Sequence, residues 1–96
     1  MDNPDKAALQ RAAELLGGQV GIADACGYED RRNVWPWFNT PRQVPPEHCA
    51  AIERACEGRV RCEELRPDLD WLRLPDKRWP WHRKGRPLLD VSKAVA

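Results

Sequence analysis

Apolar positions recur at helical spacing through the first two thirds of the chain, and the texture changes near its end. Ala8, Leu9, Ala12, Ala13, Leu15 and Leu16 form a stripe along one face of a helix predicted over Asp5 to Leu16. Asn3-Pro4 or Asp5 supplies its start signal, and Gly17-Gly18 its stop. A second, smaller apolar face of Val20, Ile22, Ala23 and Cys26 predicts a short helix from Gln19 to Cys26. Gly27 then offers a residue tolerant of left-handed backbone, and Tyr28 is expected to pack in the corner it makes. A further helix is predicted over about Asp30 to Val34. Asp30 can cap it, and Glu29 and Asp30 complement its positive end. Val34, Trp37 and Phe38 form the expected buried side. Trp35 is expected in the core, with stacking on a sugar or a partner as the alternative. Pro36 disfavours helical geometry at Trp35 and removes a hydrogen bond, so the helix is expected to end or kink there.

After a loop from Asn39 to Pro46, the helical pattern resumes. Pro46 suits a first helical position and Glu47 a first turn, so a helix is predicted from Pro46 to Glu57, closing at Gly58. Cys49, Ile52, Ala55 and Cys56 make its apolar side; Glu53 and Arg54 are expected to face solvent, and His48 to lie on the surface near the helix start. Val60 anchors the core. Cys62 to Leu65 reads as a short helix ended by Pro67, with Leu69, Trp71 and Leu72 packing back across it. From Arg73 onward, Trp79, Trp81 and His82 interleave with basic residues, and an extended run from Leu88 to Val91 follows. These pieces predict a hairpin of Trp79–His82 and Pro87–Val91, with Arg83 to Arg86 at the tip. Such an arm either touches DNA backbone or pairs with a copy of itself. Disorder is expected only for the last few residues.

Length and charge refine this outline. A chain of 96 residues predicts one domain with a modest core. Apolar content of 42% beside 32% charged residues is enough to fold most of it. The net charge of +1 does not by itself indicate nucleic-acid binding. Its distribution does more: residues 73–86 carry six basic residues (Arg73, Lys77, Arg78, Arg83, Lys84, Arg86) against one acid, Asp76. No apolar run approaches the length of a membrane span, and MDNPDKAALQ lacks the basic and apolar regions of a signal peptide, so a cytoplasmic protein is expected. None of the four cysteines sits in a CxxC pair. A metal site is therefore not expected, and Cys26, Cys49, Cys56 and Cys62 are read as reduced, small buried hydrophobes. No Ser/His/Asp set, carboxylate pair or phosphate loop is present, so neither an enzyme nor a cofactor is expected.

The residues with recognition chemistry cluster after Gly27. Arg31, Arg32 and Asn33 follow one another at the start of the predicted second helix. Arginine can bond guanine in a bidentate way and asparagine can do so with adenine, each worth roughly 1–3 kcal/mol of discrimination. Gln19, at the start of the preceding helix, and Arg42, in the loop, are candidate phosphate contacts. Arg83, Lys84 and Arg86 are candidates for a backbone or dimer contact in the arm. The alternative is an ordinary solvated face, with the arginines paired to Glu29 or Asp30. A further alternative is a protein-binding module, such as an antitoxin that covers a cognate toxin or another regulator through the aromatic arm.

The order of these pieces resembles a known family. GGQVGIADACGY, then a short basic helix ending in a tryptophan, then VPPEHCAAIERACEGRVRCEELRPDLDW, is similar to the YdaS-like, Cro-type repressors of phages and prophages. LRPD after a short acidic helix is its most specific part, and the resemblance covers roughly residues 6 to 71. It implies an all-α, five-helix, lambda-repressor-like helix-turn-helix domain over residues 1–72, followed by a short extended or β C-terminal arm over residues 73–96. It implies a single-domain repressor that binds double-stranded operator DNA; a homodimer is expected beside it. By motif position, Gln19 would be the first residue of the helix-turn-helix, Ala23 its small packing residue, Gly27 its turn glycine, and Arg31 to Asn33 part of its reading helix. The chain departs from the usual pattern in two places: one extra residue between Gly27 and Val34, and Pro36 inside the reading helix.

Overall fold

The computed structural model describes residues 6–89. The Asn3 to Asp5 helix start, the Asp90–Val91 end of the extended run and the expectation for the last residues lie outside the described residues. Within them the chain is mostly helical, with one small antiparallel sheet. α1 spans Lys6–Leu16, α2 Gln19–Ala25, α3 Trp35–Asn39, α4 Pro46–Ala55 and α5 Cys62–Leu65, with a 3-10 turn at Arg31–Asn33. β1, Trp71–Leu74, pairs with β2, Arg86–Leu89, with Trp71 opposite Leu89 and Leu74 opposite Arg86.

The core gathers one face of each main helix. Leu9, Ala12 and Ala13 of α1, Ile22 and Ala23 of α2, Trp37 of α3, Cys49 and Ile52 of α4 and Leu65 of α5 are buried together with Val34 and Val60. Gly21 allows α2 to lie against the end of α1: a Cβ there would meet the Leu16 carbonyl oxygen at 1.8 Å. The apolar stripes are narrower than the sequence pattern predicts. Leu15 is 44% exposed and Val20 64%. Both helices are short and meet the core over only part of the predicted face.

The segment after Gly27 is built differently from the expected single helix. The Asp30 carboxylate accepts a hydrogen bond from the Arg32 backbone N–H, and the Asn33 N–H donates to the Asp30 carbonyl. These bonds close a 3-10 turn that ends before Val34. Pro36 does not end a helix; it begins one. A proline lacks the N–H that an interior position needs, but a first helical turn leaves that group unpaired in any case. α3 therefore starts at Trp35, with the proline in its first turn. Val34 and Trp37 take the core side of this start, and Trp35, expected inside, is 49% exposed.

Five other expectations change. Leu72, expected to pack across the core, is 50% exposed, because it alternates with Trp71 and Arg73 along β1. Glu53, expected to face solvent, is fully buried, because Arg73 reaches it from β1. Ala55 is exposed instead of lining the core. His48 is half-buried: its Nε2 shares a 3.0 Å hydrogen bond with the Tyr28 hydroxyl, and its ring lies beside Trp37. The hairpin is also drawn from different residues. Trp79–His82 forms turns, and β2 pairs with β1 across them. Pro80 cannot donate to a ladder, and the Trp79 indole N–H is committed to Glu53 at 2.8 Å. β1 crosses residue 72, so the paired strands join the C-terminal segment to the helical body.

Candidate nucleic-acid interface

α2 packs on α1 and α4 through Ile22 and Ala23, which fixes the direction in which the chain leaves it. The helix closes on itself: the Tyr28 N–H donates to the Ala23 carbonyl at 2.9 Å, across Gly27 with φ 84°. That positive φ is what glycine supplies most cheaply. Asp30 is extended, and the 3-10 turn then presents Arg31, Arg32 and Asn33, all exposed.

The three do not stand in the same condition. The Arg32 Nε donates to the Asp30 carboxylate at 2.8 Å. This pair holds the Asp30 carboxyl below its ordinary value, through the side-chain hydrogen bond first and the backbone bond second. The solvated-face alternative thus describes Arg32. The Asn33 Nδ2 donates to the Asp30 carbonyl at 3.1 Å, leaving its Oδ1 for other donors. Arg31 makes no side-chain hydrogen bond among the described residues, so its guanidinium is open. Asp24 and Glu29, both exposed, border the same hollow as Arg31 and temper its field.

Gln19 begins α2 and borders a second open hollow of about 600 Å³, shared with Gln10, Glu14, Phe38 and Asn39. Its Oε1 is buried and accepts no hydrogen bond among the described residues. Gly17 borders both hollows. Arg42 is exposed but borders neither hollow. Its carbonyl accepts from the Lys6 Nζ at 2.6 Å, which ties the loop to α1. The basic residues of the C-terminal segment divide as well. Arg83 and Lys84 are exposed in the turn before β2, whereas Arg86 pairs with Asp76 at 3.4 Å. Arg73, counted with the basic segment by sequence, is buried between Glu53 and Glu63.

Sequence reasoning favoured the core for Trp35 and kept exposure as the alternative, and the structure takes the alternative; the signal was Pro36, which is better placed at a helix start than inside a helix. It also missed the Glu53–Arg73 pair, which has no local signal. The cysteines are free, and Cys49, Cys56 and Cys62 are buried. Burial pushes the Cys26 thiol up to about 11 and the Cys49 thiol up to about 12, so both stay protonated and act as packing groups.

Residues 9–74 match the protein family described as "Bacterial toxin YdaS". The chain belongs to the YdaS family. It is also 45% identical over 64 residues to "Putative transcriptional regulator YdaS" of Escherichia coli (strain K12). That alignment covers 67% of this chain and 64% of the relative, so the match takes in just under two thirds of the relative's length. No solved structure matches the chain. The YdaS match runs from α1 through β1 and leaves β2 outside it. The two names differ in kind, one a toxin and the other a regulator. Among the described residues, no helix is long and apolar enough to cross a membrane.

Proposed function

We propose that this chain is a transcriptional repressor of Cro type, with α2 and α3 forming a helix-turn-helix that docks on double-stranded operator DNA. The observation that carries this reading is the exposed set Arg31, Arg32 and Asn33, held by a 3-10 turn one short segment beyond the Gly27 corner. In this proposal Arg31 reads a base edge in the major groove. Arg32 and Asn33 contribute after exchanging or sharing their bonds to Asp30. Gln19 and Arg42 bond phosphates and set the docking angle. Arg83 and Lys84 supply further backbone contact, while Arg86 serves the hairpin through Asp76. The helical region up to residue 72 is the DNA-binding part, and the segment from 73 onward serves assembly. A homodimer would place two reading units about one helical turn of DNA apart. The reading requires no cofactor and no catalysis, and it places the protein in the cytoplasm. The regulator name of the Escherichia coli relative supports it.

The deciding experiment is a gel shift of the full chain with the DNA just upstream of its own gene. A specific shift that weakens steeply with salt is expected, because phosphate contacts release counterions. A flat salt response, or no shift, removes the DNA reading.

A second reading has one observation in its favour. Leu72 and Leu74 of β1 are 50% and 41% exposed, on the side of the hairpin turned away from Arg73. An apolar strip of this kind suits a protein partner, and the toxin name of the family supports a toxin or antitoxin role. Trp79 and Trp81, expected to decide between these readings, are half-buried and pack edge to face, with ring centroids 5.2 Å apart.

A further inference from the structure

The five tryptophans are used unevenly. Trp37 is buried in the core. Trp71 donates its indole N–H to the Arg66 carbonyl, Trp79 donates to Glu53, and Trp81 packs against Trp79. Trp35 alone among them is 49% exposed, and its indole N–H has no partner among the described residues.

The ring is free, but its backbone is not. Val34 before it is fully buried and Trp37 after it is buried, so the helix start is anchored on both sides. Pro36 restricts the next φ. The Trp35 carbonyl accepts from the Asn39 Nδ2 at 3.0 Å, which closes the first turn of α3. The exposed residues just before it are Arg31, Arg32 and Asn33, two of which already hold Asp30. What the chain offers just beyond the Arg31 guanidinium is therefore an exposed apolar plate on an anchored backbone. In the major groove, the apolar group that base edges present is the C5 methyl of thymine.

We infer that Trp35 is a specificity-determining residue whose indole packs on a thymine methyl in the major groove, beside the base contact of Arg31. The inference rests on the DNA-binding function proposed above. It predicts a preference for thymine where hydrogen-bonding groups alone would accept uracil equally.

The test uses the full chain and duplexes selected from a random pool on the immobilised protein. Each thymine of the selected duplex is replaced singly by deoxyuridine, which removes only the methyl group. The wild-type protein should lose affinity about fourfold at one or two positions, the value of one buried methyl. Trp35→Ala should bind the selected duplex more weakly and be indifferent to those same replacements; Trp35→Phe should keep part of the discrimination. The inference is overturned if the wild type tolerates every deoxyuridine, or if Trp35→Ala loses as much as the wild type does. Because the replacements leave the protein unaltered, they report even if the alanine variant is unstable. If the wild type enriches no duplex from the pool, the DNA-binding function itself fails and the inference falls with it.

Discussion

The Arg73 guanidinium lies 2.6 Å from the Glu53 carboxylate, with the two side chains 5% and 0% exposed. This pair joins β1 to the middle of α4. It is also fully furnished. The other Glu53 bonds come from the Cys62 backbone N–H and the Trp79 indole, while Arg73 also bonds Glu63 and the Gly85 carbonyl. α4, α5, β1, the turn at Trp79 and Gly85 just before β2 therefore meet around one buried charge pair. Removing a single member leaves the other charge buried and unmatched, which costs on the order of 3–5 kcal/mol. Arg73→Ala should lose about that much stability in denaturant unfolding at neutral pH. Glu63→Gln, at the more exposed end of the network, should lose clearly less. Equal losses would mean that the buried half of the network is no stronger than its rim.

The same network sets an acid limit. Burial raises the Glu53 carboxyl, but hydrogen bonds from Arg73, Cys62 and Trp79 outweigh it and leave the group below its ordinary 4.5. Glu63 is lowered in the same way, with burial again opposed by Arg73. A carboxyl lowered in the folded state stabilises the fold above the unfolded value, and that contribution disappears as the pH falls through the folded value. Stability should thus be flat above about pH 5 on this account and fall below the ordinary glutamate range near 4. Urea midpoints measured between pH 3 and pH 7, as roughly spaced points across that range, should show the drop in the native chain and a smaller one in Arg73→Ala.

At the candidate interface, the arginines should separate. Arg31 is open and Arg32 is paired with Asp30. Arg31→Ala should cost about 1–3 kcal/mol of specific binding and relax the preference at one base position. Arg42→Ala should weaken binding to all sequences alike and reduce the salt slope by about one. Quantitative gel shifts at several salt concentrations distinguish these patterns. A uniform loss with Arg31→Ala would assign that residue to phosphate.

Two glycines give contrasting expectations. A methyl at Gly21 would meet the Leu16 carbonyl oxygen at 1.8 Å, a backbone atom that cannot turn aside as a flexible side chain could. Gly21→Ala should force α2 off α1 and cost more than the roughly 1–3 kcal/mol typical of overpacking. At Gly27 there is open space, and only the φ of 84° is unfavourable. Gly27→Ala should cost about 1–2 kcal/mol, the strain of a left-handed alanine. Thermal unfolding followed by circular dichroism orders the two.

Much of this architecture is written locally. The starts of α2, α4 and α5 follow from apolar spacing and local signals, and their ends lie within two residues of those that Gly27, Gly58 and Pro67 suggest, α4 stopping at Ala55 and not Glu57. The exposure of Arg31, Arg32 and Asn33 follows from their polarity. Tertiary contacts decided the rest. The run from Leu88 was legible as β-like, but its partner was not: Trp71–Leu74 carried no strand signal, and β2 meets it while Trp79 bonds Glu53 and Pro80 cannot join a ladder. Trp35 was expected in the core, with exposure and stacking as the alternative; its exposure follows from a helix that starts there, with Pro36 in its first turn instead of at its end. Glu53 is the sharpest case. Cys49, Ile52, Glu53 and Cys56 share the inward face of α4, so spacing alone allowed burial, and the charge of the residue argued against it. A carboxylate enters a core only when a matching cation and its hydrogen bonds arrive with it. Here the cation stands twenty residues further along, on a strand whose position only the folded chain defines.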